Sequence, residues 1–94
     1  MVYGSPVLHY LAEVYVSRHA APAGTPSLDE VSLAAHQLTR EGTPVRLLQS
    51  IYVPEDETGF YLFRAGSGEA VREAAARAGL RLERISEAVS VRAR

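Results

Sequence analysis

An α+β fold built around a four-stranded antiparallel sheet is predicted by three observations. Alternating apolar residues mark four segments, two stretches with helical spacing interrupt them, and the resulting order is strand, helix, strand, strand, helix, strand within 94 residues. That order corresponds to a ferredoxin-like βαββαβ unit with both helices on one sheet face. The second face then needs a cover, and what covers it decides the function. A single domain over residues 7–91 is expected, with loose termini at 1–6 and 92–94.

The first strand runs from Val7 to Val16. Leu8, Tyr10, Ala12, Val14 and Val16 share one face, and His9, Leu11, Glu13 and Tyr15 the other. Two prolines and a glycine between Arg18 and Pro26 make the next segment a loop, long enough to serve as a lid. Ser27-Leu28-Asp29-Glu30 reads as a capping box, in which hydroxyl and carboxylate satisfy each other's orphan backbone donors. Leu28, Val31, Ala35 and Leu38 follow at helical spacing, and Gly42 with Pro44 ends that helix.

The second strand is Val45 to Val53. The acidic turn from Pro54 to Gly59 leads into a third strand, Phe60 to Ala65, making an antiparallel hairpin. Gly66-Ser67-Gly68 precedes a helix whose Ala70, Val71, Ala74, Ala75 and Ala78 form a small-residue stripe, with Gly79 as its terminator. Ser67 is read as a helix cap, because the rest of a phosphate-loop fingerprint is missing. The last strand is Leu80 to Val91, with Leu82, Ile85, Val89 and Val91 apolar.

Composition narrows the function. A net charge of −1 gives no electrostatic footprint for nucleic acid or an anionic membrane, and no run approaches the ~20 apolar residues of a membrane span. The absence of cysteine removes disulfides, thiolate metal ligands and cysteine nucleophiles. No secretory leader is legible, so a cytoplasmic protein is expected. At this length folding buries only about 60–65% of the chain's surface, which makes a homodimer a natural source of stability.

Several residues are candidates for chemistry. Glu13, mid-strand on the face away from the helices, could act as a general base if a partner sheet buried it; pairing with Arg64 or Arg46 is the competing structural role. Gln49, Tyr52, Tyr61 and Arg64 of the hairpin, with Tyr15, could line a ligand cleft, and Ser50 competes with Gln49 because register is not fixed by sequence. His36 is a second acid–base candidate. The three histidines have no short metal-ligand spacing.

From about Tyr10 to Val89 the chain resembles a known family. The residues are Tyr10-Leu11-Ala12-Glu13, the run Ser50 to Asp56 leading to Gly59-Phe60-Tyr61-Leu62, and Glu69 to Leu80 before Ile85. They are similar to a small uncharacterised ferredoxin-like family that includes a nickel-binding protein. The resemblance implies a dimeric α+β barrel, two sheets facing each other around a cleft. It also implies His19 and His36 as ligands for nickel or another divalent metal. Ala75 and Leu80 depart from that member, which carries histidines there. The expected function is therefore a small soluble protein binding a metal or small molecule in the cleft of a dimer. The alternative is a cofactor-independent cyclase, isomerase or oxygenase using Glu13 or His36.

Overall fold

A computed structural model describes residues 8–19 and 28–89. The elements are β1 (Leu8–Tyr15), α1 (Leu28–Arg40), β2 (Val45–Val53), β3 (Thr58–Ala65), α2 (Gly68–Ala78) and β4 (Leu82–Ala88). The sheet order is β2-β3-β1-β4, every neighbouring pair antiparallel, as the ferredoxin-like reading requires. The capping box at Ser27, most of the loop before it, Val91 and both termini lie outside the described residues.

One sheet face carries the core. Tyr10, Ala12, Val14 and Val16 along β1 meet Tyr61, Phe63 and Ala65 of β3, and all are buried beneath Val31, Ala35 and Leu38 of α1 and Val71, Ala74 and Ala75 of α2. The alanines let α2 lie close to the strands, while Phe63, fully buried, supplies bulk at the centre. Leu28, expected on the inner face of α1, is 53% exposed, because the buried stripe begins one turn later at Val31.

The helix ends follow backbone chemistry. Ser67 Oγ accepts the Ala70 N–H at 3.2 Å, a cap that contributes about 1 kcal/mol. Gly79, at φ 75°, turns the chain out of α2: its N–H donates to Ala76 O, and the Leu80 N–H to Ala75 O at 2.9 Å. Gly42, at φ 100°, ends α1 the same way, with the Thr43 N–H on Leu38 O. Arg77 of α2 holds Glu41 through two 2.8 Å hydrogen bonds and Glu73 at 3.1 Å, tying the two helices together. The same bonds hold the Glu41 carboxyl below its usual range.

The limits of β3 and β4 differ from expectation. β3 begins at Thr58 rather than Phe60, because a 3₁₀ turn over Pro54–Asp56 and left-handed Glu57, at φ 48°, reverse the chain in fewer residues. β4 ends at Ala88 and starts at Leu82, since Leu80 is used in the turn that closes α2; Val89 is 89% exposed.

Candidate functional site

Because directly opposed residues in an antiparallel sheet share a face, the register lays out the side away from the helices in rows. The first row is Arg46, Arg64, His9 and Ala88. The second is Gln49, Leu62, Leu11 and Ser86, and the third is Ile51, Phe60, Glu13 and Arg84. Val53, Thr58 and Tyr15 make the fourth. No described element covers this face: Ile51 is 53% exposed and Tyr15 37%, while Leu11, Phe60 and Leu62 are half-buried only by their neighbours.

This layout sorts the candidates. Glu13, Gln49, Arg64 and Tyr15 share the open face. Tyr52 and Tyr61 do not. Tyr61 lies opposite Ala12, is 2% exposed and packs among the helices, where burial pushes its hydroxyl above the usual range despite a hydrogen bond with Ser50. Tyr52 packs against the same core, and its hydroxyl donates to Val16 O at 3.1 Å, clasping β2 to the end of β1. Both tyrosines are therefore corrected from cleft residues to structural ones. Tyr61 follows the unbroken alternation of β3, opposite to Phe60, Leu62 and Arg64. Tyr52 is turned inward by a bulge, where two residues of β2, Leu48 and Gln49, fit opposite the step that one residue spans on β3 and so reverse the alternation.

Glu13 has a different partner from those anticipated. Arg64 stands opposite His9 and Arg46, two rows away, and the guanidinium beside Glu13 is that of Arg84, with Nε 3.8 Å from Oε2. Arg84 Nε also donates to Ser86 Oγ at 3.1 Å. Tyr15, at the far end of β1, carries the Arg81 guanidinium 5.3 Å above its ring, a cation–π contact.

His36 belongs elsewhere. It is exposed on α1 and lines a groove of about 410 Å³ with Ser32, Ala35, Thr39, Val45, Arg46 and Leu47. Thr39 shapes that groove. Its Oγ1 accepts the Val45 N–H at 3.1 Å and lies 2.9 Å from Val45 O and 3.0 Å from Ala35 O, pinning α1 to the start of β2. Glu13 and His36 thus occupy opposite layers of one chain and cannot share a proton relay there.

His19 and His36 are also separated. His36 lies beside Val45 to Leu47, level with the beginning of β1, whereas His19 follows the end of β1 in a turn where the Arg18 N–H donates to Glu57. About five strand residues, on the order of 15 Å, divide those levels, against the ~4 Å between two imidazole nitrogens on one ion. Among the described residues no group of three His, Cys, Asp or Glu side chains is placed to hold a metal.

The sequence reading missed the company these residues keep. His9 was an isolated strand histidine and Arg46 only a possible partner for Glu13; Leu62, Phe60 and Ile51 were not assigned to the site. The alternation of β3 alone carried part of the signal, since Phe60, Leu62 and Arg64 have one parity and Tyr61 and Phe63 the other.

No family model and no curated protein matches this sequence. Among solved structures, SCO4226 from Streptomyces coelicolor A3(2) is similar, with a TM-score of 0.64 and 23% identity over 88% of this chain and 99% of that one. A likeness at that identity establishes the fold. No described helix is long and apolar enough to cross a membrane.

Proposed function

We propose that this chain is a binding module in which two copies bring their open sheet faces together and hold a small ligand in the cleft between them. The observation that carries the reading is the uncovered face itself. Leu11, Leu62, Phe60 and Ile51 form a continuous apolar centre across three strands, bordered by charged residues on the same side. Water against such a centre is costly, and a self-complementary partner removes it at both faces at once. Apolar rows bordered by a few polar groups are also the usual composition of a ligand site.

Two features weigh against the acid–base alternative: Glu13 already faces the Arg84 cation, and His36 lies across the helical layer. Sedimentation velocity over a concentration series tests the dimer. A dimer that dissociates on dilution is expected, and a monomer at every concentration refutes the reading. Nickel titration with native mass spectrometry tests the metal version. Stoichiometric uptake that disappears in His36→Ala would move the site from the sheet face to the α1–β2 groove.

A further inference from the structure

We propose that the open face receives a free organic anion, an apolar body carrying one oxyanion head, with the head on the Arg46, Arg64 and His9 row and the body along Leu62, Leu11 and Phe60. This rests on the reading above and supplies the ligand chemistry that it leaves open.

The register is the starting point. Arg46 lies directly opposite Arg64, and Arg64 directly opposite His9, on three adjacent strands. Neighbouring strands are about 4.8 Å apart, so the three side chains leave the sheet within a width of roughly 10 Å. Like charges directly opposed across strands disfavour folding unless something neutralises them. Among the described residues neither arginine has a carboxylate partner, in contrast to Arg77 with Glu41 and Glu73 and Arg84 with Glu13. Glu13 is the one acidic residue at a registered position of this face, and it sits four residues along β1 from His9, roughly 13 Å away, beside its own arginine.

Once Glu13 and Arg84 cancel, the face of a chain with net charge −1 retains two unneutralised guanidinium groups at one end. Both are exposed, so an oxyanion has access to them. Guanidinium groups recognise carboxylate or phosphate through paired, charge-assisted hydrogen bonds. The next two rows are apolar at their centre, where Leu62 opposes Leu11 and Phe60 follows two residues before Leu62 on β3. A head held on the first row therefore lays its body over the apolar rows. The juxtaposition selects an amphiphilic anion over either an inorganic ion or a neutral hydrocarbon.

The test is calorimetric titration of the full chain, below the micellar range, with decanoate, decanol and inorganic phosphate, alongside binding to phosphatidylglycerol vesicles. Decanoate is expected to bind at least tenfold more tightly than decanol or phosphate. Arg46→Gln with Arg64→Gln is expected to weaken decanoate at least tenfold while leaving decanol unchanged; Arg72→Gln, exposed on α2, should have no effect. A thermal melt of each variant confirms that it is folded. Equal affinity for decanol and decanoate, an unchanged double variant, or capture by vesicles without decanoate binding overturns the inference. Absence of decanoate binding by a chain shown to be dimeric also overturns it and leaves the dimer standing. Arginine-dependent binding by a monomer supports the head-group site and refutes the dimer instead.

Discussion

Replacing Leu62 by serine should separate association from folding. Leu62 lies on the open face opposite Leu11 and is half-buried in the single chain. Full burial of a leucine is worth about 1.5–3 kcal/mol, so completing it at the interface contributes about 1 kcal/mol per copy. A twofold interface contains the residue twice, and the dimer then loses about 2 kcal/mol, roughly a 30-fold rise in its dissociation constant. The fold itself should lose about 1 kcal/mol or less, since the side chain touches no helix and its neighbour Tyr61 carries the core contact. Sedimentation velocity reads the first effect and a circular-dichroism melt the second. Leu33→Ser, 56% exposed on α1, is the matched control and should change neither. An unchanged dissociation constant for Leu62→Ser, or an equal change for Leu33→Ser, would refute the assignment of the interface to the open face.

Three further outcomes follow from the packing. Phe63→Ala empties the centre of the core, where Phe63 is 0% exposed, and should cost about 3–5 kcal/mol by denaturant titration. Tyr61 is held neutral by burial, so its raised value means that stability is intact below the ordinary value of 10.0 and declines as pH rises beyond it; Tyr61→Phe should flatten that alkaline decline. Glu41 is shifted the other way by Arg77. The stability it lends is present above its ordinary value of 4.5 and is lost as pH falls through its lowered one, and Arg77→Gln should remove that part of the acid limb in a pH series of melts.

The architecture was legible because each of its signals is local. Alternation in β1 placed Tyr10, Ala12, Val14 and Val16 inside and His9, Leu11, Glu13 and Tyr15 outside, and the side chains lie that way. The stripe from Ala70 to Ala75, the Ser67 cap and the Gly79 terminator fixed α2 by rules that act within one turn. The partner of Glu13 was not legible, because it depends on which strand flanks β1 and in what register. β4 brings Arg84 there, while Arg64, which is nearer in sequence, is spent opposite Arg46 and His9.

The harder failure lies in β2, and it explains how one strand serves both layers. Strict alternation from Arg46, which points to the open face, would send Tyr52 the same way and Ile51 toward the helices. The step between Leu47 and Gln49 inserts one residue, so Gln49, Ile51 and Val53 join the open face and Ser50 and Tyr52 turn inward. Nothing in Val45-Arg46-Leu47-Leu48-Gln49 announces it, since two leucines in succession satisfy either parity. Without the bulge Tyr52 could not reach Val16 O, Ser50 could not meet the hydroxyl of Tyr61, and Ile51 would be lost from the apolar centre. Arg46 lies ahead of the reversal and faces out beside Arg64 by ordinary alternation, so the inserted residue is what lets one strand give both Arg46 to the cationic row and Ile51 to the apolar centre. Any change that removes Leu48 from the chain should therefore disturb the core and the open face together.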